Sequence, residues 1–164
     1  MPLFFILAHM KTYAVDEALE KMRHYCAYQE RCHKEVKNKL YSMQMIPEAI
    51  AQIVGTLVSE NYLNESRFAL QFAQGKFSIK HWGKMRITRE LKTRSISDYD
   101  IRKALSVIDD NAYLEKISAI SAKKWKQLEE NKPQVRKQKL YQYLAYRGWE
   151  THLIYAQIDA LGTD

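Results

Sequence analysis

A shift of 51 positions lays one segment of this chain over another without a gap. Val36, Leu40, Met45, Ile50, Val54, Leu57, Tyr62 and Leu63 fall on Ile87, Leu91, Ile96, Ile101, Leu105, Ile108, Tyr113 and Leu114. A third copy, displaced by about another 53 positions, starts with Leu140, Leu144, Trp149, Ile154 and Ile158. Self-similarity at a fixed period marks one supersecondary unit used several times, each copy needing its neighbours to bury its apolar face. The chain therefore reads as an elongated array, with its function on a surface rather than in a pocket.

The spacing within a copy is helical. Val36 and Leu40 lie four residues apart, as do Ile50 and Val54, so each pair shares a helix face. Steps of five from Leu40 to Met45 and from Met45 to Ile50 break that rhythm and place a turn between two helices. Pro47 suits a first helical position, where a missing N–H costs nothing, and Ser97 with Asp100 makes the equivalent capping box in the second copy. Nothing alternates with period two for long enough to build a sheet. The expectation is an all-α tandem array of three three-helix repeats, covering residues 12–63, 64–114 and 115–164. Its nine helices are expected at 16–30, 32–42, 47–60, 65–76, 82–93, 98–110, 112–130, 133–146 and 150–161. Asn64 is the expected N-cap of the fourth helix, and Gly75 and Gly83 are expected to loosen the chain between the fourth and fifth. Residues 1–11 are apolar but lack a basic flank and are too short to cross a bilayer, so they read as a poorly ordered arm.

A length of 164 residues fits one domain with an ordinary core. Cys26 and Cys32 are too few for a secreted disulfide framework, which points to a reducing cytoplasm. The net charge of +7 is unevenly divided. Up to residue 75 there are 8 basic and 8 acidic residues, from 76 to 148 there are 18 against 8, and from 149 to the end 0 against 3. A clustered excess attracts polyanions and acidic protein surfaces, because potentials add over a face. It also occurs on helix faces that are merely solvated.

Enzymatic motifs are missing. The sequence has no Gly-x-Ser-x-Gly elbow, no His-Glu-x-x-His pair and no Gly-rich phosphate loop ending in Lys-Ser or Lys-Thr. Cys26, Cys32 and His33 lack the paired spacing of structural zinc ligands, so Cys26 is expected to pack as a small hydrophobe and His33 to lie in solvent. No catalytic residue, metal, cofactor or small-molecule substrate is expected. The interesting residues are cations. On the fifth helix Ile87 and Leu91 turn inward, so Arg86, Arg89 and Lys92 fall away from them as a ridge. Lys76, Lys84 and Arg94 extend that group, and Arg136, Lys137, Lys139 and Arg147 form a second one in the third copy. Such ridges can neutralise phosphates, with steep salt dependence, or pair with carboxylates on a protein. Tyr62, Tyr113, Phe68, Phe72 and Trp149 sit on the repeat skeleton and are assigned to packing rather than base stacking. A helix-turn-helix reader would use helix 98–110, whose Asp98, Asp100, Asp109 and Asp110 argue against reading a DNA groove.

Beyond spacing, several motifs resemble a known family. Tyr62-Leu63-Asn64-Glu65-Ser66-Arg67-Phe68-Ala69 is similar to the Tyr-Leu-Asp-Asp-x-Arg-Phe-Ala signature of the RecX family. Ile87-x-x-x-Leu91-x-x-x-Ser95-Ile96 resembles its Ile-x-x-x-Leu-x-x-Lys-Gly-Ile, and Leu144-Ala-Tyr-Arg-Gly-Trp149 its Leu-x-x-Arg-Gly-aromatic segment. The segment from Ala18 and Leu19 to Leu40 is similar to the family's N-terminal unit. Three positions depart: Asn64-Glu65 replaces Asp-Asp, Arg94-Ser95 replaces Lys-Gly, and Gln44 stands where the family has glycine. The resemblance implies a tandem three-helix fold and a bacterial regulator of homologous recombination and DNA repair. It implies binding to RecA and to RecA filaments on single-stranded DNA, with inhibition of their ATPase, strand exchange or growth. The alternative is a stand-alone basic helical module that binds nucleic acid independently of RecA, with the ten cations as its contacts.

Overall fold

The computed structural model describes residues 13–163, and the expected arm over residues 1–11 lies outside them. The described residues form nine helices and no strand. They are α1 (Val15–Tyr28), α2 (His33–Ser42), α3 (Pro47–Ser59), α4 (Glu65–Lys80), α5 (Lys84–Thr93), α6 (Asp98–Ser106), α7 (Asp110–Gln127), α8 (Pro133–Tyr146) and α9 (Thr151–Leu161). By packing they separate into two compact units, one ending at Glu65 and the other beginning at Ser66.

In the first unit, α1 and α2 both pack on α3. Ala18, Met22 and Cys26 recur every four residues along α1 and meet Val36 and Leu40 of α2 and Ile50, Ile53 and Leu57 of α3 in one core. Cys32 is fully buried beside the α2 start, and burial pushes its thiol up. His33 is half-buried rather than in solvent, and its main-chain N–H donates to Glu65 over 3.1 Å. On the outside, the Arg23 guanidinium donates to both Glu60 carboxylate oxygens, at 2.8 and 2.6 Å, and also meets Glu20. The hydrogen bond from Arg23 holds the Glu60 carboxyl below its usual range.

The second unit repeats the corner that ends α2. Gln44, Ser95 and Gly148 each have φ near the left-handed value, at 60°, 61° and 82°. Each stands one residue before a buried anchor: Met45, Ile96 or Trp149. In every case the anchor N–H reaches back to a carbonyl five residues earlier, Leu40, Leu91 or Leu144, at 3.2 Å. The left-handed residue donates to the carbonyl three before it, at 2.9, 2.9 and 3.0 Å. This pattern satisfies the last helical carbonyls and turns the chain toward the next helix. The five-residue step seen in the sequence is this corner.

Three sequence expectations shift. α4 continues through Gly75 to Lys80, so the loosening glycine lies inside a helix and only Gly83 sits at a boundary, as the residue before α5. α6 stops at Ser106, and Asp109 caps α7 by accepting from the Ala112 N–H at 2.9 Å, so Asp109 and Asp110 belong to the next helix. The skeleton also slips at its end. Asn61, at φ 62°, closes α3 and turns Leu63 inward, whereas Tyr113 is already inside α7 and buried. Its neighbour Leu114, 100° further round the helix, is 49% exposed.

The start of α5 has no side-chain cap. Its free N–H groups are met from elsewhere in the second unit. Gly83 donates to the Arg147 carbonyl at 2.9 Å, Met85 to the Gly148 carbonyl at 3.1 Å, and Lys84 to the Tyr113 hydroxyl at 2.9 Å. Thus the carbonyl end of α8 faces the N–H end of α5, an arrangement the two helix dipoles favour. Contact is so close that a Cβ on Gly148 would stand 2.2 Å from the Arg86 Cβ. One on Gly83 would stand 2.3 Å from the Gly148 oxygen. Trp149 seals the joint: it is buried, donates its indole N–H to the His81 carbonyl at 3.1 Å, and lies 4.5 Å from the Tyr113 ring. Tyr113 donates to Glu150 at 2.6 Å, and its own hydroxyl is pushed up by burial and that carboxylate. The Leu-x-x-Arg-Gly-aromatic segment is therefore a structural joint.

Two predictions follow from these contacts. Gly148→Ala forces a methyl into α5 at positive φ and should destabilise the chain by about 3 kcal/mol, combining overpacking with backbone strain. Ser95→Gly relieves a left-handed serine in an open corner and should stabilise by about 0.5 to 1 kcal/mol. Denaturant midpoints of both variants check the contrast, and equal or inverted effects would show that the corner does not govern stability. Glu60 gives a pH signature. Its folded pKa is depressed, so its contribution is present above the unfolded value of about 4.3 and is lost as pH falls through the folded one. The midpoint gap between wild type and Glu60→Gln should close in acid and shrink in high salt.

Candidate functional site

The ten cations singled out in the sequence do not form one ridge. Arg89 and Lys92 stand exposed on the outer face of α5. Arg89 has no ion-pair or hydrogen-bond partner among the described residues. Lys92 faces Asp98 at 3.5 Å, with both side chains more than half exposed, a pairing worth little in water. Arg86 turns away from them. Its guanidinium lies 4.0 Å from the Trp82 ring centre and 4.6 Å from that of Tyr146, and donates to the Tyr146 carbonyl at 3.1 Å. It is held inside an aromatic clamp because Trp82 and Tyr146 flank the joint that carries α5.

Lys76 and Arg94 border the same clamp. The Lys76 ammonium is 5.1 Å from Trp82 and 5.3 Å from Phe72, and Arg94 is 4.8 Å from Phe72 while also pairing with Glu90 at 3.0 Å. Phe72 packs edge-on to Trp82 at 6.3 Å and beside buried Phe68 at 5.8 Å. Lys84 lies over the Tyr113 ring at 4.6 Å and meets the exposed Asp110 at 3.3 Å. Cations stacked on aromatic faces in this way gain about 0.5 to 2 kcal/mol each, more as water is excluded.

The second predicted group is split as well. Arg136 folds onto Trp125, 3.9 Å from its ring, and donates twice to its carbonyl, at 3.0 and 2.7 Å. Lys139 donates to Asn131 at 2.8 Å, and Lys137 is half-buried, close to Gly162. Arg147 lies over the Tyr143 ring at 3.7 Å and donates to the Tyr143 carbonyl at 3.3 Å. The geometry thus brings Lys76, Arg86 and Arg94 together around Trp82 and Phe72, sets Arg89 and Lys92 apart as accessible charges, and isolates Arg136.

Residues outside the predicted set belong here too. Lys124 of α7 approaches the Tyr143 ring at 5.1 Å, opposite number to Arg147, and Lys116 approaches Phe77 at 5.4 Å. His81, at φ 57° between α4 and α5, is held below its ordinary range by burial first and then by Lys116, Arg147 and Lys123. The basic run Lys123-Lys124-Trp125-Lys126 is the sequence signal for this group, but it falls on no position of the repeated skeleton and adds only to the charge count. Among the described residues no group of acidic, His and Cys side chains is placed to hold a metal ion. No helix among them is long and apolar enough to cross a membrane.

Comparison with known proteins gives this surface its context. Two family models match, RecX second three-helix domain over residues 64–105 and RecX third three-helix domain over residues 111–158. Proteins named Regulatory protein RecX are similar along the chain. The one from Lactobacillus johnsonii is 30% identical over 105 residues, 64% of this chain and 39% of the relative. That of Oceanobacillus iheyensis is 24% identical over 140 residues, 85% of this chain and 52% of the relative. The Clostridioides difficile protein is 24% identical over 138 residues, 84% and 65% respectively. The chain thus spans about half the length of these relatives. The crystal structure of RecX from Lactobacillus salivarius superposes with a TM-score of 0.77 at 22% identity, covering 90% of this chain and 96% of that one. A second crystal structure of regulatory protein RecX gives 0.80 at 20% identity, covering 89% and 73%. Both likenesses are of fold. With two family models together spanning more than half of its residues, and the joint motif and corner geometry explained, this chain belongs to the RecX family.

Proposed function

We propose that this chain is a non-enzymatic cytoplasmic regulator of homologous recombination that binds RecA and RecA filaments on single-stranded DNA and limits their ATPase, strand exchange and growth. Family membership supports the regulatory role, and the resemblance of its motifs supplies the partner. The observation that carries the contact is the outer face of α5. Arg89 and Lys92 are displayed there without a strong internal partner, on a helix whose start is fixed by the joint with α8. A guanidinium and an ammonium in that setting suit carboxylates on a protein surface or phosphates of bound DNA. The expected division into repeats at 12–63, 64–114 and 115–164 belongs to the same proposal, with the second repeat supplying the primary contact.

The test is the DNA-dependent ATPase of RecA with rising amounts of this protein. Hydrolysis should fall and filaments should shorten. An unchanged rate and unchanged filament length would overturn the proposal. Arg89→Glu with Lys92→Glu should raise the concentration needed for half inhibition by about tenfold or more, the scale of two lost charge-assisted contacts, without lowering helicity. Arg86→Glu makes an informative control: it breaks the aromatic clamp, so its loss of inhibition should come with loss of thermal stability, whereas the outer pair should leave stability intact.

A further inference from the structure

The outer face of α8 carries no charge. Gln134, Gln138 and Gln142 recur every four residues along this 14-residue helix and form a row on its solvent side. Val135, 38% exposed, flanks the row on one side. Tyr141 flanks it on the other, 5.6 Å from the ring of Tyr155 on α9, itself 53% exposed. Among the described residues none of the three glutamine amides has a partner within the chain. The cations of the same helix are engaged elsewhere: Arg136 is folded onto Trp125, Lys137 lies close to Gly162, and Lys139 donates to Asn131. At the positions where α5 shows Arg89 and Lys92, α8 has Gln142 and Ala145, both exposed. In a chain that is 27% charged, a neutral exposed face bearing tyrosine has the composition of an interface core rather than of a solvated surface.

The order of residues on this face points to its occupant. Counted outward from Gln138, the segment 134–142 has the same pattern in both directions, with Gln134 and Gln142 four residues away and apolar Val135 and Tyr141 three residues away. On a helical wheel the two glutamines lie about 40° to either side of the Gln138 direction, and Val135 and Tyr141 about 60° to either side. A two-fold axis through Gln138 requires that symmetry, because an isologous contact pairs residue i with j and j with i.

We propose that α8 is a self-association face, and that two copies of this chain pair antiparallel across it about a two-fold axis at Gln138. Gln134 of each copy meets Gln142 of the other, Gln138 meets its counterpart, and Val135 of each packs on Tyr141 of the other. An amide both donates and accepts, so glutamine can bond its own kind, which a row of lysines or of glutamates cannot. The equivalent face of α5 is unable to do this, since Arg89 and Lys92 would meet like charges. At about 1.5 Å per residue α8 is about 21 Å long, which puts the contact at the small end of specific interfaces and makes association weak and reversible. On the reading that α5 engages a filament, the dimer presents two such faces at once and gains avidity for a polymer of identical subunits. That consequence rests on the proposed function; the pairing itself does not.

The experiment is sedimentation equilibrium of the nuclease-treated full chain, without RecA, from about 1 µM to about 1 mM, the range in which small interfaces form. The mass should rise reversibly from 19.4 kDa toward twice that value. Each copy carries a net charge of +7, so added salt should strengthen the dimer, the opposite of its effect on polyanion binding. Gln138→Arg and Gln138→Glu each place like charges on the axis and should weaken pairing by about tenfold or more with helicity unchanged. Mixed in equal amounts, the two variants should pair with each other at least as well as wild type does. A monomer at every concentration, growth past the dimer, or association that salt dissolves would overturn the proposal. So would single variants that pair like wild type, or mixed variants that fail to pair. RecA inhibition measured alongside separates the two readings: absent inhibition by an intact dimer strikes the functional proposal alone, and full inhibition by a chain that stays monomeric strikes this one alone.

Discussion

The second unit depends on one constraint, the close approach of two backbones where the end of α8 meets the beginning of α5. Helix starts carry N–H groups that must find acceptors, and α5 brings none of its own. The carbonyls of Arg147 and Gly148 and the hydroxyl of Tyr113 satisfy them, and only glycine at 83 and 148 lets the chains come that close. Trp149, Tyr113 and Glu150 then close over the joint. The position of every cation on α5 is set by this meeting.

Much of the fold was legible because a helical repeat writes itself at full strength in the sequence. Leu40, Leu91 and Leu144 recur at one place in each copy because the carbonyl of each accepts the anchor N–H of a left-handed corner while its side chain lies in the core. The corner tolerates different residues: Gln44 and Ser95 adopt a left-handed φ as Gly148 does, so loss of the family glycine did not cost the turn. Only at 148 does a second backbone crowd the position. What could not be read was where copies diverge. Asn61 adds a left-handed turn after α3 that the second copy lacks, and Asp109 starts α7 at once, which is why Leu63 is buried and Leu114 is not.

The cations illustrate a sharper limit. A helical wheel places Arg86 beside Arg89 and Lys92, and locally it is right. Yet Arg86 is drawn into a clamp between Trp82, just before α5, and Tyr146, 60 positions from Arg86, and no pattern along α5 announces them. Charge counts show that a surface is basic. They do not say which charges are bound up in cation–aromatic stacking and which are displayed, since that depends on rings supplied by other helices. The same blindness hid the charges around His81, which come from two other elements, α7 and the end of α8.

A helix whose start is completed by residues far downstream has a history during synthesis. Gly83 leaves the ribosome well before Gly148, and at about 5 to 20 residues per second the interval lasts several seconds. Throughout it the start of α5 lacks the acceptors that meet its N–H groups in the folded unit, and a nascent chain cannot yet close its own joint.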